Sequence, residues 1–271
     1  MNPMPDGEAL ENGYGSETVA GDNLFNDFVQ GEAVSAVVLA EARGERTYRD
    51  PGRLAMADGG SPLPFSNVAV LEQAPRGSDI ESLVAEVRAF YAGRPGGPCL
   101  LKSLFPLPDL APFGCALMGH PPLMLRTPIA LPAPPADLEI VRVTDERTSS
   151  DYEQALVLGY PAPMLQPFRA GCFLPTGSLD APGWQHFVGY ADGRAVAAGS
   201  AYVDDHVLRV ENIAVMADTR GRGFGAAITA ATVKVDLDVA ATLIASDLGR
   251  PIYERLGFRA LHRATYWLVP R

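Results

Sequence analysis

A run of glycines and arginines between an apolar strand and an alanine-rich helix constrains this chain more than any other feature. Val210-Glu211-Asn212-Ile213-Ala214-Val215 is apolar and partly β-branched, and predicts a strand. Ala217-Asp218-Thr219 then turns into Arg220-Gly221-Arg222-Gly223-Phe224-Gly225-Ala226, after which Ala227, Ile228, Ala231 and Val235 fall at helical spacing. Strand, glycine turn and helix in that order aim the unpaired N–H groups of a helix N-terminus outward, where they attract phosphate. Glycines at 221, 223 and 225 let a pyrophosphate approach the main chain without side-chain collision. Arg220 and Arg222 add full charges beside it. The segment reads as a nucleotide-phosphate cradle, although a glycine-rich surface turn without a ligand has the same letters.

The nucleotide is a separate question. Gly221 to Ala226 also satisfy G-x-G-x-x-A, the dinucleotide fingerprint. A dinucleotide fold places that turn after its first strand and needs several βαβ units beyond it. Here fewer than fifty residues follow, and the two arginines suit a ligand with more phosphate charge. Downstream, Ala241-Thr242-Leu243-Ile244-Ala245 predicts a short buried strand. Ser246-Asp247 cap a helix through Pro251, Ile252 and Tyr253 to Leu256, with Gly257 as its stop. Residues 258–261 and 265–269 predict two closing strands.

From about Val207 to Val269 the chain resembles the catalytic core of the GNAT superfamily of acyl-CoA-dependent N-acyltransferases. Arg220, Gly223 and Gly225 meet its R-x-x-G-x-G signature, and Tyr253, Gly257 and Phe258 meet its Y-x-x-x-G-F signature. The resemblance covers about a quarter of the chain strongly. It implies an α/β (α+β) fold, a mixed central sheet flanked by helices, with acetyl-CoA or another acyl-CoA as co-substrate and no metal. It implies that Arg222, Gly223, Gly225 and Ala226 offer backbone N–H groups to the pyrophosphate, with Gly221 shaping the loop. Main-chain groups of Ile213 and Val215 would pair with the pantetheine arm as an added strand. The Val215 N–H is the preferred oxyanion donor, with Ala214 small enough to leave room. Ser246 stands where many family members carry an asparagine that contacts the cofactor arm. Tyr253 is the candidate general acid toward the departing sulfur, since a phenol near pKa ~10 is protonated at neutral pH. A core tyrosine on an amphipathic helix is the plainer alternative.

The attacking amine must first lose a proton. Glu211, on the strand ahead of the expected bulge, is the best-placed carboxylate, acting directly or through water. A glutamate paired with Arg209 would have the same sequence. His206 and Asp205 are reserve bases, and His186 and His262 are expected to be ordinary surface or edge histidines. The activity implied is transfer of an acetyl or other short acyl group to a primary amine, a small molecule or a peptide N-terminus. Two readings stand beside it: a non-catalytic acyl-CoA-binding sensor or scaffold, and a nicotinamide-dinucleotide oxidoreductase.

The first half carries an echo of the second. Asn67-Val68-Ala69-Val70 parallels Asn212-Ile213-Ala214-Val215, and each is followed by Arg-Gly and a helical pattern. Phe113-Gly114 with Leu123-Met124-Leu125 parallels Gly257-Phe258 with Tyr266-Trp267-Leu268. Asn67 to Gly114 spans 47 positions and Asn212 to Gly257 spans 45. Two tandem copies of one unit are therefore expected. After Arg76-Gly77, however, Asp79 and Glu81 place carboxylates at the helix start, which satisfies the dipole and repels phosphate. The first copy is read as degenerate and without CoA. The expected division is a disordered tail at 1–20, the degenerate unit at 21–127, a proline-rich linker at 128–136 and the catalytic unit at 137–271.

The 271 residues suffice for two ordinary domains, and a net charge of −10 lacks the basic footprint of a nucleic-acid binder while suiting a cationic amine. No run of eighteen apolar residues predicts a membrane span, and no secretory signal is evident at the start. Cys99, Cys115 and Cys172 match neither a disulfide framework nor a zinc spacing, so a cytoplasmic location is expected. Acceptor, acyl length and oligomeric state, a homodimer included, stay open at the level of sequence.

Overall fold

The computed structural model describes residues 24–271 apart from Pro128, Pro161, Pro175 and Asp205. The tail expected at 1–20 and the reserve base Asp205 lie outside the described residues.

The first half runs α1 (Leu24–Ala42), β1 (Arg46–Asp50), β2 (Leu54–Asp58), β3 (Asn67–Leu71), α2 (Ile80–Tyr91), β4 (Cys99–Ser103), β5 (Ala116–Gly119) and β6 (Pro122–Arg126). The second runs β7 (Glu139–Arg142), α3 (Glu146–Gly159), β8 (Trp184–Ala191), β9 (Arg194–Val203), β10 (Val207–Val215), α4 (Phe224–Val233), β11 (Ala240–Ile244), α5 (Arg250–Arg255), β12 (Phe258–Arg263) and β13 (Thr265–Val269). Local chemistry explains most of these boundaries. Asp145 starts α3 with a reciprocal capping box, its carboxylate accepting from Thr148 N–H. Asp192 and Gly193, at φ +51 and +73, make the tight turn joining β8 to β9. Ile80, Leu83, Val84, Val87 and Phe90 form the buried stripe of α2 that their spacing predicted.

Two mixed sheets result, ordered β1-β2-β3-β4-β13-β5 and β12-β6-β11-β10-β9-β8-β7. They are built alike, as two tandem copies of one unit. Sheet membership departs from a division at the linker, because each half lends its last strand to the other. β6 sits between β11 and β12 of the second sheet, with Met124 fully buried. β13 sits between β4 and β5 of the first, with Trp267 and Val269 inside that unit's core. The two strands parallel one another in sequence and occupy equivalent, exchanged places.

The copies differ where function is expected. β3 pairs with β2 in unbroken register from Asn67 to Leu71 and runs parallel to β4. β10 has the same neighbours in kind but loses register against β9. Among its described residues the segment from Thr127 to Leu138 contains no helix or strand, and it lies along the second unit, with Leu131 packed on its core.

Candidate functional site at the open edge of strand ten

The site forms where β10 leaves β11. The two strands pair in parallel only from Val207 to Arg209, against Ala240 to Thr242. On the other side β10 slips register with β9 between Glu211 and Ala214. Asn212 there adopts φ +56, a left-handed conformation that few non-glycine residues take, and this bulge bends the strand end out of line with β11. Met216 N–H donates to Val196 C=O at 2.9 Å. Main-chain groups alternate along a strand, so those of Ile213 and Val215 face the unpaired edge.

The helix α3 closes over this bulge through a missing side chain. A Cβ on Gly159 would lie 3.1 Å from Ala214 Cβ and 3.1 Å from the Val215 backbone, closer than nearly all real contacts. Gly159→Val should therefore push the bulge aside, lowering Tm by overpacking worth about 1–3 kcal/mol. Thermal unfolding measures that shift. Arg220 ties the same elements, its Nη2 donating to Gly159 C=O at 2.8 Å and its Nε to Val215 C=O at 3.2 Å. The sequence placed Arg220 as a free charge beside phosphate. The structure shows its guanidinium turned back onto two carbonyls, because the strand end leaves those acceptors unpaired.

The glycine loop follows. Gly221 and Gly223 take φ +81 and +85, conformations that suit glycine. Gly223 is the N-cap of α4 and no side chain caps it. The helix's first bond is Ala227 N–H to Gly223 C=O at 3.0 Å, which leaves the amides of Gly223, Phe224, Gly225 and Ala226 without helical partners. No acidic residue occupies the first turn of α4 to satisfy its dipole. Gly225 packs closely, since a Cβ there would meet Ile252 at 3.3 Å and Val215 at 3.7 Å. Arg222 is exposed, lies 4.7 Å over the Phe224 ring and pairs with Asp137 beside the linker. That pair holds the Asp137 carboxyl below its usual range, yet it is a surface pair that an anion competes with readily.

On the far side of the open edge stands α5. Tyr253 is 9 % exposed, its ring edge-on to Phe258 at 6.0 Å. A Cβ on Gly249 would come within 3.3 Å of both the Tyr253 hydroxyl and Ser246 Oγ, so the glycine makes room for them. Ser246 is exposed and its Oγ accepts from Gly249 N–H at 3.1 Å, a turn cap beside the edge. Burial raises the Tyr253 phenol above its usual pKa, with Tyr160 and the Glu211 charge adding to it. Tyr160 is exposed, and partial desolvation with the same Glu211 charge raises its phenol as well. Glu211, Tyr160 and Tyr253 are thus within electrostatic reach of one another. Tyr160 follows directly after α3, and no local motif in the sequence points to it.

Glu211 is not a solitary carboxylate. Arg209, 2 % exposed, donates to both Glu211 and Glu32, and also to Ser35 and, at 3.0 Å, to Gly31 C=O on α1. Lys102 Nζ lies 3.2 Å from Glu32. Burial pushes Glu32 up, but Arg209 and Lys102 overrule it and hold its pKa below the ordinary value. Glu211 behaves oppositely: burial, helped by the Glu32 charge, raises its pKa against the pull of Arg209. Pairing with Arg209 therefore does not hold this carboxyl at or below its ordinary value.

The reserve histidine is not brought here. His206 sits exposed in the turn before β10, its N–H on Asp204 Oδ1 at 2.9 Å, at the opposite end of the strand from the bulge. His186 is neither a surface nor an edge residue. It is 2 % exposed, stacked on Trp184 at 5.7 Å, with Nδ1 2.7 Å from Ser200 Oγ, and burial lowers its pKa to about 3. Among the described residues no group of three or more His, Cys, Asp or Glu is placed to hold a metal ion. No described helix is long and apolar enough to cross a membrane.

The open edge and the glycine loop end the antiparallel run β8-β9-β10, and α5 follows β11. A nicotinamide dinucleotide fold instead places its glycine turn after the first strand of a parallel βαβ series. Residues 182–260 match the family model described as an acetyltransferase (GNAT) domain. Among solved structures the chain is similar to a GCN5-related N-acetyltransferase from Kribbella flavida, with TM-score 0.66, 19 % identity and 94 % of this chain and 97 % of that one covered. It is similar to a functionally unknown conserved protein from Staphylococcus epidermidis, with TM-score 0.57, 14 % identity and 84 % and 95 % covered. It is also similar to a tandem GNAT protein from the clavulanic acid biosynthesis pathway, with TM-score 0.50, 16 % identity and 92 % and 96 % covered. At these identities the likeness establishes the fold. No protein of curated function matches the chain.

Proposed function

Because residues 182–260 carry a GNAT acetyltransferase domain within a tandem GNAT fold, we propose that the protein transfers an acetyl or other short acyl group from acyl-CoA to a primary amine in a ternary complex. One observation carries this reading: the main-chain edge at Ile213 and Val215, left open by the bulge, leads to a glycine-capped helix N-terminus with free amides. An extended arm pairs with such an edge, and a pyrophosphate suits such a terminus. Gly221, Arg222, Gly223, Gly225 and Ala226 form the phosphate end of the site, and Ser246 flanks the arm. Ala214 keeps the edge low, while Arg220 holds its frame.

The chemistry divides among three groups. Glu211 accepts the proton that the ammonium sheds before its nitrogen bonds to the carbonyl carbon. Val215 N–H faces the charge that develops on the carbonyl oxygen. Tyr253 gives a proton to the sulfur as its bond to carbon breaks, and the second proton that nitrogen loses after attack returns through water to the phenolate this leaves. A screen for CoA release over an amine library, alongside titration with acetyl-CoA and with NADH, tests the reading. Acetyl-CoA binding without turnover of any amine would make this an acyl-CoA sensor or scaffold.

The Glu211 assignment has a pH signature. A base works only when deprotonated, so kcat/KM falls as pH drops through its pKa. Because that pKa is raised, the acid limb should lie above the ordinary 4.5 of a glutamate. Glu211→Gln should erase the limb and reduce the rate about 10²-fold or more. A variant with the parent profile would return Glu211 to a purely structural partner of Arg209.

A further inference from the structure

A cavity of about 80 Å³ lies between α1 and the bulged end of β10, and its wall joins Glu211 and Asn212 to Arg43 and Glu45 just past α1. Most charges around it are already matched, since Arg209 is shared by Glu32 and Glu211 and Lys102 joins Glu32. Arg43 is the exception. Its guanidinium donates to Phe173 C=O and lies 5.4 Å over that ring. Its Nε is sealed from solvent without a hydrogen-bond partner, and among the described residues no carboxylate stands within ion-pairing distance. Glu153, on α3, is occupied by the amides of Gly171, Phe173 and Leu174, each at 2.5 Å. Glu45 lines the same space, and its Oε2 is also sealed and unpartnered.

Arg43 and Glu45 feel each other's charge without forming an ion pair, and a half-buried cation with no ion-pair partner gains from an anion that reaches it. Two unpartnered groups of opposite sign on one wall fit a zwitterion better than a simple amine. A cavity of about 80 Å³ holds several waters, room for a compact head group. We propose that this cavity between the two units is the acceptor pocket, and that Arg43 receives the carboxylate of an acceptor that also carries the reacting amine, an amino acid. The proposal rests on the acyltransferase reading above. In it, the first unit reads the acceptor while the second holds the donor. The step is the one already given: the N–C bond forms, the C–S bond breaks, one proton passes from the ammonium to Glu211, one from Tyr253 to sulfur, and the second nitrogen proton restores the tyrosine phenol through water.

The experiment pairs amino acids with their decarboxylated counterparts, such as alanine with ethylamine and lysine with cadaverine, in a CoA-release assay on the full chain. Amino acids should be favoured at least ~10²-fold in kcat/KM, as expected for a desolvated charge pair. Arg43→Gln should collapse that ratio toward one through KM, and Arg43→Lys should restore part of it. Unchanged acetyl-CoA affinity by calorimetry serves as the check on folding. Equal rates for both partners, or an Arg43→Gln loss shared equally between them, would overturn the proposal. If no amine releases CoA, the acyltransferase reading falls and calorimetry with the amino acids themselves decides the pocket. Binding that Arg43→Gln abolishes supports it, and no binding to the parent protein refutes it.

Discussion

Gly223→Asp should abolish acetyl-CoA binding, lowering affinity by at least ~10²-fold. Gly223 caps α4 at φ +85, where a side chain is strained but sterically possible, since a Cβ would meet Pro135 at an ordinary 3.5 Å. The damage is therefore electrostatic more than steric. A carboxylate here would take the free amides that α4 offers and neutralise the positive end of its dipole. It would also face the pyrophosphate with like charge, a juxtaposition that costs several kcal/mol, and each 1.4 kcal/mol is a factor of about ten. Gly223→Ala separates the two effects: it carries the same backbone strain without charge and should bind only modestly worse. Calorimetry with acetyl-CoA reads both variants. Parent affinity in Gly223→Asp would remove the phosphate site from this loop and, with it, the donor assignment.

What the sequence displayed and what it concealed divides by range. The glycine loop, the Asp145 cap and the Asp192-Gly193 turn are settled by residues that are neighbours in the chain, and each is legible there. The burial of His186 was legible too, because Trp184, His186 and Val188 alternate on one buried strand face. The exchange of β6 and β13 was not. Pro122–Arg126 and Thr265–Val269 are apolar strings that state a need for burial without naming a partner. The same holds for Arg209 and Glu32, which meet across 177 positions of chain, and for Gly159, whose lack of a side chain matters only against Ala214 and Val215. Arg220 shows a third case. Its place in the signature was plain, but its guanidinium serves the strand end, a choice made by unpaired carbonyls that only the bulge creates.

Tyr253→Phe should lower kcat by ~10²–10⁴ while leaving acetyl-CoA affinity and the fold intact. The substitution removes one oxygen. That oxygen has no hydrogen-bond partner among the described residues, and the ring's packing against Phe258 and the core of the second unit is unchanged by its loss. A structural cost is therefore not expected. Burial, together with Tyr160 and Glu211, raises the phenol's pKa, so Tyr253 enters the reaction protonated across the neutral range. That state is the one the proposed donor to a departing thiolate needs, and it does not serve to take a proton from the amine. The loss should thus fall on kcat, with a residual rate from water protonating the thiolate. Tyr160 sits within reach of the same charge cluster, and Tyr160→Phe distinguishes the two phenols. If Tyr253 is the donor, Tyr160→Phe should retain far more activity. Parent turnover in Tyr253→Phe would instead assign the ring to packing and move the proton donor elsewhere.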